Sequence, residues 1–193
     1  MSSHPDQKLG DLDLLRRIAR QEEAALAEFY DGHAKTVFAF LCRMFSDRIE
    51  AEDVLQETFL QVWREAVRYD PLRGSPIAWL IKIARSRGID RLRQLRLKAK
   101  RDGGPIEEWH EQLQTQPSVE AMAMEQATHR GIYREMDKLP LEQRDAIMLA
   151  FFGGLTHHEI AKRLGVPMGT IKTRIRLGMQ KLQEAMQKAG VAQ

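Results

Sequence analysis

Apolar residues recur along this chain at the spacing of one helix face, and the alternating runs typical of strands are nearly absent. An amphipathic stretch begins at Leu14, with Asp11 or Asp13 as candidate N-caps. The spacing i, i+3, i+4, i+7, i+8 and i+11 then occurs twice, first in Ala34, Val37, Phe38, Leu41, Cys42 and Phe45 and again in Ala51, Val54, Leu55, Thr58, Phe59 and Val62. We therefore predict an all-α fold.

Two interruptions divide the helical pattern. The first, residues 69–76, is rich in Pro, Gly and Asp and precedes a helix that runs to about Leu97. The second, residues 98–117, contains adjacent glycines and little periodicity, and a further helix is predicted to restart the pattern after it. The sequence thus predicts two small helical domains, residues 1–97 and 118–193, joined by a flexible linker.

The strongest local pattern lies in the second half of the chain. Thr156 and Glu159 fit a capping box, in which each side chain hydrogen-bonds the backbone N–H of the other residue. Gly165 stands where a left-handed residue ends a helix, and Pro167 is predicted to open the last helix at its first turn. That last helix is predicted to bury Ile171, Ile175, Gly178, Met179 and Leu182.

The other face of the last helix is polar and basic. Its members are Thr170, Lys172, Thr173, Arg174, Arg176 and Gln180. Two short helices joined by a tight glycine-containing turn, with the second helix basic at its N-terminal end, describe a helix-turn-helix whose second helix enters the DNA major groove. The alternative is an ordinary helical hairpin with a cationic exposed face.

The formal net charge of +3 conceals a strong segregation of charge. Residues 82–101 carry nine basic residues against one acid, and residues 162–181 carry six basic residues and no acid. Between them, residues 102–137 hold eight acids and two bases. Polyanion binding follows local lysine and arginine density, so two such runs indicate a nucleic-acid-binding protein. For either run alone, a solvated charged face is the alternative.

Several classes of function find no support in the sequence. No apolar run reaches the roughly 18 residues of a membrane span and no signal-peptide pattern is visible, so we expect a cytoplasmic protein without membrane insertion. The single cysteine, Cys42, lies on an apolar helix face and is interpreted as a small core residue rather than a redox sensor. The run His157-His158-Glu159 lacks the i, i+4 spacing of the two histidines in a zincin helix. We therefore expect no enzyme activity, no metal and no cofactor.

With these residues in view, the chain resembles the extracytoplasmic-function sigma factors, small members of the sigma-70 family of bacterial RNA polymerase subunits. Residues 51–63 (AEDVLQETFLQVW) look like the segment with which that family grips the clamp helices of the largest polymerase subunit. The charge agrees, because residues 47–65 carry six acids against two bases, which suits a protein partner and not DNA. The implied polymerase-binding residues are Glu52, Asp53, Gln56, Glu57, Leu60 and Trp63. For Trp63 a place at the edge of the core is equally open.

Residues 77–93 are similar to the family's helix for the downstream (−10) promoter element, where a loop and a helix hold bases of the opened strand. Aromatic rings beside a cationic groove are how proteins hold single strands. The implied contacts are Tyr69, Arg73, Trp79, Lys82, Arg85, Ser86, Arg87, Arg91 and Arg93. Trp79 can equally be a core residue. Ser86 stands where many members carry asparagine, and Gly88 interrupts the helix at a cost of about 1 kcal/mol relative to alanine.

Residues 139–182 resemble the family's domain for the upstream (−35) element. The implied contacts are His157, Pro167, Gly169, Thr170, Lys172, Thr173, Arg174 and Arg176. The resemblance implies a sigma factor that binds core RNA polymerase, recognises both promoter elements, promotes DNA melting for a stress or envelope response, and has an anti-sigma factor as a further partner. A conventional helix-turn-helix regulator and a protein-binding adaptor are the two alternatives.

Overall fold

The computed structural model describes residues 5–102 and 134–188, and within these ranges it contains helices and turns but no strand. Its first four helices are α1 (Pro5–Ala19), α2 (Glu23–Leu41), α3 (Arg48–Glu65) and α4 (Pro76–Arg101), and two short 3₁₀ turns, Ala66–Arg68 and Pro71–Arg73, lie between α3 and α4. Residues 134–137 are helical, and α5 (Leu141–Phe151), α6 (His157–Leu164) and α7 (Met168–Lys188) follow. The all-α prediction is confirmed.

The described residues fall into two compact units, one within residues 5–94 and the other containing 95–102 and 134–188. Helix α4 continues to Arg101, beyond the predicted helix end at Leu97, so the first residues of the predicted linker are helical. The rest of the predicted linker, and most of the helix predicted to follow it, lie outside the described residues. The domain boundaries drawn from the sequence stay a prediction.

The core of the first unit is built from the inner faces of its helices. The Phe29 ring is fully buried and meets the His33 and Phe59 rings edge-on, with centroids 4.6 and 6.3 Å away. Fully buried aliphatic side chains of this unit include Leu15, Ile18, Val37, Leu41, Val54, Val62 and Leu80. Each such side chain stabilises the fold by about 1.5–3 kcal/mol on leaving water. This burial fixes which faces of α3 and α4 remain outside.

Asp11 is not the helix cap that the sequence predicted. Helix α1 begins at Pro5, so Asp11 and Asp13 both lie inside it. Asp11 is buried, and its Oδ1 accepts a hydrogen bond from Nε2 of the buried His33 at 2.9 Å. A carboxylate removed from water requires such a partner. The pair therefore satisfies Asp11 and ties α1 to α2.

Gly88 lets α4 pack closely on the residues that follow α2. A Cβ at this position would lie 2.6 Å from Cε and 2.8 Å from Sδ of Met44, whose side chain is buried. Without a side chain at Gly88, the thioether of Met44 packs directly against the helix backbone. The glycine that interrupts the basic run is thus a packing residue.

The core of the second unit joins α5, α6 and α7. Its central buried cluster consists of Leu149, Leu155, Ile160, Ala161 and Ile171. Gly178 brings α7 close to α5, because a Cβ there would lie only 2.6 Å from Cδ1 of Ile147 and 3.3 Å from Cβ of Gln143. The three helices therefore pack at a separation that a larger residue at Gly178 would not permit.

The predicted buried face of α7 is confirmed at most of its positions. Ile171, Gly178 and Leu182 are buried, and Ile175 is half-buried. Met179 is 48% exposed, so its predicted burial was wrong. Successive helix residues point about 100° apart, which turns Met179 away from the contact made by its neighbour Gly178.

Replacing Gly32 with alanine is expected to raise the free energy of unfolding by about 0.5–1 kcal/mol. Gly32 is exposed within α2, and a Cβ there would meet no atom within 4 Å. Thermal unfolding of the wild type and the variant measures the change. Gly88→Ala is the contrast, because its Cβ would strike Met44. An equal gain from both substitutions would contradict this account of the two glycines.

Candidate functional site

The local geometry of the helix-turn-helix matches the sequence prediction closely. Oγ1 of Thr156 accepts from the Glu159 backbone N–H at 3.3 Å, and the Thr156 N–H donates to Oε2 of Glu159 at 2.7 Å, which completes the capping box. Gly165 ends α6 in the left-handed region, with φ 65° and ψ 28°. Pro167 precedes α7 instead of opening it, and its carbonyl oxygen accepts from the Thr170 N–H at 2.9 Å. The turn between the two helices is therefore fixed at both ends.

One face of α7 is open to a ligand. We call Gly169, Lys172, Thr173 and Arg176 the recognition face, since all four residues are exposed near the start of the helix. A Cβ at Gly169 would meet no atom within 4 Å, so the helix backbone itself is accessible there. The predicted neighbours His157 and Pro167 are exposed as well. The arrangement offers the cations of Lys172 and Arg176 to a polyanion, while the Thr173 hydroxyl donates to the Gly169 carbonyl oxygen at 3.0 Å and can accept a further hydrogen bond.

Arg174 and Thr170 lie off the recognition face, against the sequence prediction that both are presented with it. Thr170 is half-buried, and the Arg174 side chain is only 19% exposed. Nη2 of Arg174 donates to Oε2 of Glu142 on α5 at 2.7 Å. Arg174 stands about 200° around the helix from Lys172, which places it on the α5 side. The recognition face and Arg174 are therefore distinct in the folded chain.

The loop between α3 and α4, which we call the capture loop (residues 66–75), is closed by its own side chains. The Tyr69 hydroxyl donates to the Gly74 carbonyl oxygen at 2.8 Å, and the Tyr69 ring meets the Trp79 ring edge-on with centroids 5.4 Å apart. Burial raises the pKa of the Tyr69 hydroxyl above its ordinary value, with smaller contributions from the carboxylates of Asp70 and Asp11. The two rings named from the sequence thus form one half-buried pair.

The capture loop also exposes apolar side chains that the sequence analysis missed. Leu72 is 94% exposed and Val67 is 73% exposed, and Arg73 beside them is exposed too. No periodic pattern marks these residues, since they belong to 3₁₀ turns. The signal in the sequence was an aliphatic residue, Leu72, within a segment rich in Pro, Gly and Asp. Exposed aliphatic groups next to a cation suit the faces and phosphates of an unpaired strand.

The basic residues of α4 do not share one surface. Lys82, Ser86 and Arg93 are exposed, while Arg85 is half-buried and burial lowers its pKa below the ordinary value. The family resemblance implied that Lys82, Arg85, Ser86 and Arg93, together with Arg87 and Arg91, contact the downstream promoter element. That assignment stays a prediction.

Two arginines of α4 face α3. Nε of Arg87 donates to Oε1 of Gln61 at 2.5 Å. Nε of Arg91 donates to Glu50, and its Nη2 lies 3.8 Å from Oδ2 of Asp53. The hydrogen bond to Glu50 raises the pKa of Arg91 further above its ordinary value. In the folded chain both side chains therefore hold α4 against α3.

The outer face of α3 carries the residues predicted to bind a protein partner. We call Ile49, Asp53, Gln56 and Leu60 the docking face, because their spacing of three and four residues puts them in one stripe. Leu60 is 53% exposed and Ile49 is 67% exposed. Ile49 was missed from the sequence, although it starts the same helical spacing.

Other predicted members flank this stripe. Glu57 is exposed, Glu52 is half-buried, and Trp63 is half-buried. Nε of Arg48 donates to Oε1 of Glu52 at 2.7 Å, and the Trp63 carbonyl oxygen accepts from Nε2 of Gln21 at 3.3 Å. The stripe thus has an apolar residue at each end and the polar Asp53 and Gln56 between them, with further acids beside it. Protein interfaces use such mixtures of apolar and polar groups.

Among residues 5–102 and 134–188, no group of three or more His, Cys, Asp and Glu side chains could hold a metal ion. Helices long and apolar enough to cross a membrane are likewise absent from that part of the chain. Cys42 is half-buried.

Comparison with known proteins assigns both units. Residues 29–97 match the family model for sigma-70 region 2, and residues 129–182 match the model for sigma-70 region 4. The ECF RNA polymerase sigma factor SigK of Mycobacterium tuberculosis H37Rv is 34% identical, with 94% of this chain and 97% of the relative covered. The ECF RNA polymerase sigma factor RpoE of Cereibacter sphaeroides is 39% identical, with 90% of this chain and 93% of the relative covered.

Among solved structures, Rhodobacter sphaeroides SigE in complex with the anti-sigma ChrR is 30% identical, with 93% of this chain and 99% of that chain covered and a TM-score of 0.43. CnrH in complex with the cytosolic domain of CnrY is 20% identical, with 93% and 98% covered and a TM-score of 0.41. At these TM-scores the assignment rests on the sequence matches, which extend over both units. By those matches the chain belongs to the extracytoplasmic-function sigma factors of the sigma-70 family.

Proposed function

We propose that this chain binds core RNA polymerase through the docking face of α3, recognises the upstream (−35) and downstream (−10) promoter elements, and promotes opening of the DNA at the downstream element. The observation that carries the proposal is the acidic, apolar docking face on a chain that also carries an exposed, cationic recognition face. A conventional helix-turn-helix regulator uses only α5 to α7, and it gives the docking face no role.

The docking face supports polymerase binding by its chemistry. Exposed Leu60 and Ile49 offer apolar anchors that gain free energy when a partner covers them. The carboxylates of Asp53 and Glu57 favour a basic partner surface and oppose binding to DNA. Binding of core polymerase through this face would make the chain a polymerase subunit, whereas α7 alone accounts only for DNA binding.

The capture loop and α4 support recognition of an unpaired strand. Stacking on an aromatic ring is worth about 1–3 kcal/mol per base. Tyr69 and Trp79 supply the rings, and exposed Arg73 and Lys82 supply cations for the phosphates. Binding the open form more tightly than the closed form shifts the equilibrium toward a melted bubble, and no covalent step is needed.

The recognition face supports binding of duplex DNA upstream. Cations and a threonine hydroxyl at the start of a helix match the donor and acceptor pattern of the major groove. The proposed division of labour follows the predicted domains, with residues 1–97 for polymerase and the downstream element, 98–117 as linker and 118–193 for the upstream element.

Location, partner and regulon complete the proposal. The chain acts in the cytoplasm as a subunit of RNA polymerase and has no enzyme activity of its own. A dedicated anti-sigma factor is a further partner, supported by the complexes in which the similar proteins SigE and CnrH were solved. The genes whose transcription this chain initiates belong to a stress or envelope response, as the family resemblance implies.

A reconstituted run-off assay with core polymerase, this chain and a randomised promoter library tests the proposal. We expect transcripts that depend on the chain and come from templates sharing two motifs, one upstream and one downstream. Binding to duplex DNA without binding to core polymerase would replace the proposal with the conventional regulator. Binding to protein partners alone would replace it with the adaptor.

Replacing Lys172 with alanine is expected to weaken binding to duplex DNA about equally across sequences. Lys172 is exposed on the recognition face, where its ammonium group suits a phosphate. Loss of one phosphate contact lowers the slope of log K against log salt by about 1. A salt titration of holoenzyme on promoter fragments measures the slope, with Lys188→Ala at the far end of α7 as the matched control. An unchanged slope would remove Lys172 from the interface.

A further inference from the structure

The contact between α5 and α7 has two points, one helical turn apart. At the first, Nη2 of Arg174 donates to Oε2 of Glu142 at 2.7 Å. At the second, Gly178 lies against Ile147 and Gln143, with room for no side chain. Residues i and i+4 share one side of a helix, so both points lie on the same flank of α7. Two fixed points on one flank set both the rotation and the tilt of the helix.

The ion pair joins a mostly enclosed arginine to a glutamate at the surface, whose side chain is 68% exposed. The Arg174 side chain is 19% exposed, so its guanidinium is mostly enclosed by protein. Glu142 lies in the first turn of α5, where a carboxylate is favoured by the positive end of the helix dipole. A charge-assisted hydrogen bond between such groups is directional as well as attractive. The pair therefore constrains orientation, in addition to neutralising the Arg174 charge.

The orientation of α7 decides whether the recognition face fits the groove. The helix with its side chains is roughly 10–12 Å across, so a rotation of about 10° moves a side-chain tip by about 1 Å. A displacement of that size disturbs hydrogen bonds to base edges, whose length tolerance is only a few tenths of an ångström. Lys172, Thr173 and Arg176 would all be displaced together.

We propose that Glu142 and Arg174 form an ion-pair brace that sets the orientation of α7, so that Arg174 acts in promoter recognition as a positioning residue and contacts no base. The inference rests on the proposed recognition of upstream DNA by α7. It assigns Glu142, which neither the sequence pattern nor the family motifs singled out, a role in the specificity of that recognition.

Glu142→Ala separates the brace from direct readout, because it leaves Arg174 in place and free to reach DNA. The DNA for this test is a duplex that the wild type has selected from a randomised library. The brace predicts that the affinity of the full-chain holoenzyme for this duplex falls about tenfold, which is the equivalent of one good base contact. The preference at every upstream position should weaken together. Direct readout by Arg174 predicts unchanged or higher affinity, since a competing carboxylate has gone. Glu184→Ala is the control for removing one acid from the same unit.

The exchanged pair, Glu142→Arg with Arg174→Glu, gives the second test. The brace predicts that each single change weakens binding and that the double variant recovers to within about threefold of the wild type, with the same base preference. A double variant as weak as Arg174→Glu alone would overturn the brace and assign a base contact to Arg174. Thermal unfolding of the wild type, the two single variants and the double variant measures the coupling free energy of the pair without DNA. Failure of the wild type to select any upstream motif would instead contradict the proposed function.

Discussion

Leu60→Asp is expected to abolish transcription by holoenzyme assembled with this chain at concentrations where the wild type is fully active. The variant replaces one of the two exposed apolar side chains of the docking face with a carboxylate, at a position that is 53% exposed and free to contact a partner. Burial of a leucine side chain under a partner contributes about 2 kcal/mol, which is about 30-fold in affinity. Titration of labelled core polymerase with the chain measures the loss.

The fold should survive this substitution, because the Leu60 side chain points away from the core. Leu60→Met is the matched control, since it keeps an apolar side chain of similar size and should bind core polymerase nearly as the wild type does. Full core binding by Leu60→Asp would show that the polymerase uses another surface, and the acidic and apolar stripe on α3 would then need a different partner.

Gly178→Val is expected to destabilise the second unit by about 1–3 kcal/mol, the usual cost of overpacking. Already the Cβ would lie 2.6 Å from Cδ1 of Ile147, and the branched side chain would force α5 and α7 apart. Hydrogen exchange of peptides from α5 and α7 measures the loss of protection. Peptides from α1 to α3 serve as the internal reference, because they belong to the first unit.

Gly169→Ala is the matched control for Gly178→Val, since it lies in the same helix where a Cβ meets nothing within 4 Å. This variant should be at least as stable as the wild type, because alanine favours the helix more than glycine does. Equal protection of α5 and α7 in Gly178→Val and in the wild type would show that the two helices can separate without cost.

Features that depend on a few neighbouring residues could be predicted from the sequence. The capping box of Thr156 and Glu159 and the left-handed Gly165 each rest on chemistry within a few residues, and both were confirmed. The all-α fold and the buried face of α3 follow from the helical spacing of apolar residues. In α2 the spacing identified Val37, Phe38 and Leu41, but it placed Phe45 on a helix that ends at Leu41 and missed the buried Thr36, Ala39 and Phe40. The family resemblance then assigned each of the two units its expected partners.

Features that depend on distant partners could not be read from the sequence. Arg174 looks like its basic neighbours along the chain, and only the position of Glu142 on another helix explains why it is mostly enclosed. Asp11 fits a helix cap locally, but its partner His33 stands on α2. Arg91 counts toward a basic run, although Glu50 binds it in the folded chain. The periodicity of apolar residues predicts which face of a helix is buried, but it does not predict which charged side chains pair between helices.

The closed state of the capture loop bears on the thermodynamics of strand capture. Tyr69 is tied to the Gly74 carbonyl and stacked edge-on against Trp79 before any nucleic acid is present. Fixing the backbone of one residue lowers the conformational entropy by an amount equivalent to about 1–2 kcal/mol. Tyr69 loses this entropy when the chain folds, so in the proposed capture of a strand its backbone needs no further ordering. If the loop binds an unpaired strand as proposed, this preorganisation leaves more of the stacking free energy to hold the base out of the duplex.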